Sequence, residues 1–141
     1  FAECFFNILS ADNRIGVYDY KPAPAIDDYG VDGLGQGMDE KPLTVQVKFR
    51  SDATTELTES DVKQFGLQSI VNCDVDKDTK TNMIVFTNAR GLHWITETKV
   101  FSSRIRCLGY EQISTLVDNN TVFWKHVNDL VKITIKQKYN V

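Results

Sequence analysis

Residues 27–51 read DDYGVDGLGQGMDEKPLTVQVKFRS, and the strongest secondary-structure signal of the chain lies in their second half. Between residues 43 and 50, apolar side chains alternate with polar or charged ones, a period that predicts a β-strand with two different faces. Gln46 and Lys48 fall on the same face of this strand, about 6.5–7 Å apart. Upstream, Asp32 lies in the tetrapeptide GVDG, where glycines allow the backbone to bend sharply and to approach a ligand closely.

The pattern of apolar residues along the rest of the chain predicts a mixed α/β domain. A capping box at Thr58 to Asp61 opens one predicted helix. Helical spacing predicts helices over residues 1–9, from Thr58 to about Asn72, around 113–117 and over 121–135, and strand patterns occur at 17–20, after Asp32, and over 83–87, 93–101 and 104–108. A strand at residues 133–135 is the alternative to the end of the last helix. We expect a central mixed β-sheet flanked by helices, in a single domain that covers residues 1–141.

The composition is that of an ordinary globular domain. A chain of 141 residues with 42% hydrophobic and 25% charged residues is sufficient for one core. No apolar run approaches the roughly 20 residues of a membrane span, so we expect a cytoplasmic protein with no membrane partner. Cys4, Cys73 and Cys107 are scattered singly, which suits reduced thiols better than disulfides or a zinc site. Because the chain begins at Phe1 within an apolar stretch, we expect it to be cut from a longer chain.

The charge of the chain is acidic overall but unevenly distributed. A net charge of -3 argues against indiscriminate nucleic-acid binding, which usually depends on a basic surface. Residues 1–42 contain eight acidic and three basic side chains, whereas residues 121–141 contain four lysines and one aspartate. This distribution suits a cation site beside a phosphate-binding surface, although chance patterning of solvated faces produces the same pattern. Neither a GxxxxGK loop nor a GxSxG motif occurs, so neither nucleotide-loop nor serine-hydrolase chemistry is indicated.

Asp32, Gln46 and Lys48 form a suitable set for phosphodiester hydrolysis. A hard divalent cation such as Mg²⁺ prefers oxygen ligands, which Asp32, the side-chain carbonyl of Gln46 and the backbone carbonyl of Val47 provide. Such a cation polarises a phosphate and lowers the pKa of a bound water, and Lys48 would stabilise the negative charge that builds up. Two plainer interpretations stay open. Asp32 is then a turn residue of an Asp-Gly pair, and Gln46 and Lys48 belong to the solvated face of a strand.

The segments GVDG and VQVK resemble the D…QxK version of the PD-(D/E)xK nuclease superfamily, and most of all the Mrr-like restriction endonuclease domains. NMIVFTNARG and IRCLGYEQISTLVDNN are similar to the post-helix strand and to the closing strand and helix of those domains. The resemblance implies a restriction-endonuclease-like fold and a Mg²⁺- or Mn²⁺-dependent endonuclease that hydrolyses DNA phosphodiester bonds. Asp32 and Gln46 would then bind metal, Lys48 would assist catalysis, and Glu3 would be the glutamate that the first helix often supplies.

The same resemblance leaves a rival function open. Gln46 stands where many members have Glu or Asp, and a neutral amide binds a cation less tightly than a carboxylate does. The alternative is therefore a catalytically inactive nuclease-fold domain that binds DNA or a protein. Domains of this kind are often fused to helicases, which implies a fused or associated helicase/ATPase module. Double-strand cleavage generally needs two sites, which a homodimer would supply.

Five further side chains are candidates for contact with DNA: Arg50, Gln64, Gln68, Lys99 and Arg104. Arg50 shares the predicted face of Lys48, and Gln64 and Gln68 lie one turn apart on the second predicted helix. Lys99 and Arg104 would form a basic strand edge. For each of these residues, a solvated position or a pair with a nearby acid is the plainer interpretation.

Overall fold

The computed structural model describes residues 1–10, 12, 14–23, 30–52, 54–78, 82–92 and 104–139. The helices are α1 (Ala2–Ile8), α2 (Glu59–Asn72), α3 (Tyr110–Val117) and α4 (Thr121–Tyr139). The strands are β1 (Tyr18–Pro22), β2 (Gly33–Gln36), β3 (Pro42–Lys48), β4 (Met83–Thr87) and β5 (Ile105–Leu108). The strand expected at residues 93–101 lies outside the described residues.

The described strands form one mixed sheet in the order β1-β2-β3-β4-β5. β1, β2 and β3 pair antiparallel, whereas β3, β4 and β5 pair parallel. Parallel neighbours need a crossover connection, and α2 lies in the connection between β3 and β4. Helix α2 therefore runs back over the sheet, and its first turn lies above the carboxyl end of β3. The expected α/β domain with a mixed sheet flanked by helices is confirmed.

Two apolar cores lie on opposite faces of the sheet. The alternation within β4 divides between them, because Ile84 and Phe86 belong to one core and Met83 and Val85 to the other. The first core contains residues of α1, α3 and α4, and the second contains residues of α2. With helices packed on both faces, the middle of the central strand β3 is buried on both sides, from Leu43 to Gln46.

The polar face of β3 is buried under α2. Thr44 is fully buried and Gln46 is 9% exposed. The Thr44 hydroxyl donates a hydrogen bond to Ser69 Oγ at 2.8 Å, and Ser69 donates in turn to the Phe65 carbonyl at 2.7 Å. The interpretation of this face as solvated is therefore wrong for Gln46, because Thr44 and Gln46 are buried against a helix, whereas Lys48 at the end of the strand keeps about one-third of its side chain exposed.

The helix signals in the sequence agree with the structure. Thr58 N–H donates to Asp61 Oδ2 at 2.8 Å, which is one half of the expected capping box at the start of α2. Helix α4 continues to Tyr139, so the alternative of a strand at residues 133–135 is wrong, and the helical spacing of the apolar residues outweighs their β-branched character.

Strand β3 ends two residues earlier than expected. Beyond Lys48, the Asn88 side chain accepts a hydrogen bond from Arg50 N at 2.8 Å and donates one to Arg50 O at 2.7 Å. An amide side chain thus replaces the neighbouring strand as the partner of this backbone.

Two further findings concern the chain as a whole. Across the parts of the chain that are described, no helix has both the length and the apolar character needed to cross a membrane. All three cysteines are described, and none of them forms a disulfide.

Candidate functional site

Asp32 lies immediately before β2 and is hydrogen-bonded to the backbone of β3. Its N–H donates to the Val45 carbonyl at 2.8 Å, and its carboxylate oxygen Oδ2 accepts from Val47 N at 2.7 Å. Asp32 and Gly33 lead into a strand, so the interpretation of this pair as a turn is wrong. Within a strand, the N–H and C=O of one residue point to the same neighbour. The Val47 carbonyl therefore points toward the edge where the Asp32 carboxylate lies.

Gly33 allows Asp32 to take this position. A Cβ atom at Gly33 would lie 2.2 Å from Cε2 of Tyr20, a separation that no side chain tolerates. The Tyr20 ring, stacked on Phe6 with a centroid distance of 4.8 Å, thus fills the space beside the first residue of β2. Glycine is required at this position because of a close approach and not because of a turn.

Gln46 projects toward α2 and carries a buried carbonyl oxygen. Its Oε1 atom has no hydrogen-bond partner among the described residues. A Cβ at Gly30 would lie 3.2 Å from Gln46 Nε2 and 3.5 Å from Phe65, so the amide is enclosed between the GVDG segment and the helix. A buried polar atom without a partner costs about 1–3 kcal/mol. An oxygen in this state fits a ligand that accepts electron pairs, such as a divalent cation.

Lys48 and Arg50 converge on one carboxylate in the first turn of α2. Lys48 Nζ lies 3.1 Å from the backbone oxygen of Asp61 and 3.6 Å from its Oδ1, and Arg50 Nη2 lies 2.5 Å from the same Oδ1. Partial burial acts to raise the pKa of Asp61. Hydrogen bonds from Thr58 and the charge of Arg50 outweigh burial, and the pKa is lowered.

Asp61 is a site residue that the sequence analysis did not single out. The capping box identified it only as part of a helix start. The available signal was topological: a helix that returns over a parallel sheet places its first turn above the end of the strand it follows. That placement brings Asp61 to the two cations at the end of β3.

Glu3 lies on α1, which packs on the opposite face of the sheet from α2, and its side chain is exposed. The pKa of Tyr20 is raised to about 12, first by burial, then by the charge of Asp32 and then by that of Glu3. The negative charges of Asp32 and Glu3 thus both act on Tyr20, although Glu3 belongs to α1 and Gln46 faces α2. Nothing in the sequence pattern pointed to Tyr20, whose ring lies beside Gly33.

A metal ion at this site would depend on few carboxylates. Within the described ranges, no three His, Cys, Asp or Glu side chains are grouped so that they could hold a metal ion. Asp32, the Gln46 carbonyl and the Val47 carbonyl, completed by water, are nevertheless the hard oxygen donors that Mg²⁺ accepts.

The other candidates for DNA contact are distributed differently. Gln64 is exposed on α2, and Gln68 is half-buried and accepts a hydrogen bond from the Asn72 side chain. Arg104 precedes β5 and donates to the Lys77 carbonyl. Because β5 runs in the same direction as β3, Arg104 lies at the opposite end of the sheet from Lys48. Lys99 lies outside the described residues.

Comparison of the chain with protein-family models, with curated proteins and with solved structures found no match.

Proposed function

We propose that the chain is a metal-dependent endonuclease domain that hydrolyses DNA phosphodiester bonds and has a restriction-endonuclease-like fold of the Mrr-like type. The main support is one observation. The carbonyl oxygen of Gln46, which has no hydrogen-bond partner within the described part of the chain, is buried next to the segment that carries Asp32, whose carboxylate accepts from Val47 N. The order of the elements also supports the proposal, because GVDG leads directly into β2 and VQVK lies on β3, its antiparallel neighbour.

Mg²⁺ or Mn²⁺ is the cofactor that the donor set favours. Oxygen atoms of Asp32, Gln46 and Val47 are hard donors, and a hard divalent cation usually retains several waters beside a small number of protein ligands. In the bound state, such an ion supplies Lewis-acid activation of the phosphate and of a water. The protein's part is to hold the carboxylate against β3, which the Val47 amide does, and to keep the amide of Gln46 enclosed.

Lys48 and Arg50 are the phosphate-binding groups in this proposal. Both cations share Asp61, so the three side chains together carry one net positive charge. One positive charge matches one phosphodiester group. The Lys48 ammonium, which is about one-third exposed, has access to solvent and to a substrate while it is held by the helix.

A plasmid-nicking assay tests the proposal. The full chain should nick supercoiled plasmid in the presence of Mg²⁺ or Mn²⁺ and not in the presence of EDTA. Asp32→Asn should abolish nicking, and Lys48→Ala should slow it by about a hundredfold or more, the usual cost of losing a group that stabilises transition-state charge. Asp129→Asn removes a carboxylate from the exposed surface of α4 and is the matched control. Equal nicking by all four proteins contradicts the proposal.

A second function is favoured by two observations. The Lys48 ammonium is already bound to Asp61. At position 46, a neutral amide side chain stands where a carboxylate would bind a metal more tightly. Both features suit a nuclease-fold domain without catalysis that binds DNA or a protein. Calorimetric titration with Mn²⁺ separates the two functions: heat that disappears in Asp32→Asn supports the nuclease, whereas DNA binding that is unaffected by EDTA and by Asp32→Asn, with no Mn²⁺ heat, supports the binding domain.

A further inference from the structure

A cavity of about 210 Å³ opens at the carboxyl ends of the parallel strands. We call it the aromatic pocket, because three of its lining residues are Phe1, Phe49 and Tyr110, with Ser114 and Asp118 of α3 and its C-cap at the rim. Carboxyl ends of parallel strands are where open α/β sheets usually bind ligands. None of these lining residues belongs to the proposed metal site.

The aromatic rings of the pocket are about half open to solvent. Phe1 is 45%, Phe49 49% and Tyr110 59% exposed. Phe49 nevertheless has a fixed support, since its ring lies 5.5 Å from that of the fully buried Phe86. The backbone after Phe49 is also held, by the two hydrogen bonds between Arg50 and Asn88. Large rings held on a rigid base and open to solvent form a surface suited to stacking with a flat ligand.

The pocket and the cationic pair lie on opposite sides of the same strand end. Phe49 packs toward Phe86 in the core of α1 and α4, whereas Lys48 and Arg50 on either side of it reach Asp61 on α2. A ligand that spans the end of β3 therefore meets a positive charge on one side and aromatic rings on the other. A nucleotide combines these properties, because it carries an anionic phosphate and a flat base. An apolar protein side chain would make no use of the cations.

We propose that the aromatic pocket binds one unstacked nucleobase of a nucleic-acid strand whose phosphate lies at Lys48 and Arg50. This inference rests on the proposed function in that the substrate is a nucleic acid, but it does not depend on cleavage. Every base offers a face for stacking, so the rings would bind bases with little sequence preference.

Fluorescence anisotropy with a labelled oligothymidylate tests the pocket. The full chain is titrated in EDTA, so that no cleavage occurs, beside an abasic oligonucleotide of the same length and charge. Tyr110→Ala should weaken binding of the oligothymidylate by about tenfold, which corresponds to the loss of one base–aromatic stack. Tyr110→Phe keeps the ring and should bind as the wild type does. Tyr139→Ala removes an exposed tyrosine on α4, away from the pocket, and is the matched control.

The results divide clearly. A wild-type preference for oligothymidylate over the abasic strand that disappears in Tyr110→Ala supports the pocket. Equal binding of both strands by the wild type, equal binding by Tyr110→Ala and Tyr139→Ala, or no binding at all overturns it. A dimer that dissociates in Tyr110→Ala during sedimentation assigns the pocket to a second copy and also overturns it.

The same experiment separates this inference from the nuclease proposal. Asp32→Asn should retain oligothymidylate binding in EDTA while it loses plasmid nicking. Base-dependent binding by a chain that nicks no plasmid leaves the pocket standing and removes the nuclease. If the chain nicks plasmid but binds the oligothymidylate and the abasic strand equally well, the nuclease proposal stands and the pocket proposal is removed.

Discussion

The carboxylate of Asp32 accepts a hydrogen bond from the backbone amide of Val47 at 2.7 Å. Because β2 begins only at Gly33, a side chain here takes the place of strand backbone as the partner of β3. The same carboxylate is the principal metal ligand in the proposed function. Asp32 therefore has a structural and a chemical role, and different substitutions should separate them.

The two roles of Asp32 predict different effects for Asn and Ala. Asp32→Asn keeps an oxygen that accepts from Val47, so the free energy of unfolding should change little while Mn²⁺ binding is lost. Asp32→Ala leaves the Val47 amide without its acceptor and should lower the free energy of unfolding by about 1–3 kcal/mol as well. Urea unfolding and Mn²⁺ calorimetry on both variants measure the two effects. Equal stability of the two variants would show that the hydrogen bond contributes nothing.

Gln46 should lower stability in the metal-free protein, because its buried carbonyl oxygen has no partner among the described residues. Gln46→Leu replaces the amide with an apolar side chain of similar size. This change should raise the free energy of unfolding by about 1 kcal/mol and should abolish plasmid nicking. Gln64→Leu makes the same replacement at an exposed position of α2 and is the control. Its free energy of unfolding should stay within about 0.5 kcal/mol of the wild-type value. A less stable Gln46→Leu protein would contradict the prediction.

Asp61 should contribute a stability that depends on pH. Its pKa in the folded chain is lowered below the unfolded value of about 3.9, so the ionised form is favoured by folding. The contribution is present above that value and disappears as the pH falls through the folded pKa. The stability difference between wild type and Asp61→Asn should therefore be largest near neutral pH and should shrink below about pH 3.9. Urea unfolding at several pH values measures the difference.

A control is needed because Asp61 both caps α2 and binds Lys48 and Arg50. Thr58→Ala removes the capping hydroxyl and leaves the two cations in place. If loss of the cap alone explains the behaviour of Asp61→Asn, both variants will show the same plasmid-nicking rate. A nicking defect that is confined to Asp61→Asn assigns the effect to the positions of Lys48 and Arg50.

Gly33→Ala should be destabilising because of one ring. The added Cβ would lie 2.2 Å from Cε2 of Tyr20, and relief requires movement of the ring or of β2, at a cost of about 1–3 kcal/mol. In a double-mutant cycle with Tyr20→Ala, most of this cost should disappear, since the clashing atoms are then absent. Additive effects in the cycle would place the strain elsewhere in the strand.

Local patterns in the chain were sufficient for the elements and for some of the chemistry. The alternation in VQVK required a strand with Gln46 and Lys48 on one face, and Thr58 with Asp61 required a helix start. Both are properties of neighbouring residues, whose geometry follows from the two-residue period of a strand and from the hydrogen-bonding needs of a helix end. The helix and strand order, and with it a central sheet flanked by helices, followed from the same local signals.

Tertiary structure alone decided what surrounds those residues. That α2 covers Thr44 and Gln46 on β3, that Asp61 holds both Lys48 and Arg50, and that the Tyr20 ring lies beside Gly33 are relationships between separate segments of the chain. The sequence pattern of a strand records which residues are polar but not which element lies opposite them. A buried polar face and a solvated one can therefore have the same alternation, and only the packing of a helix onto the sheet distinguishes them.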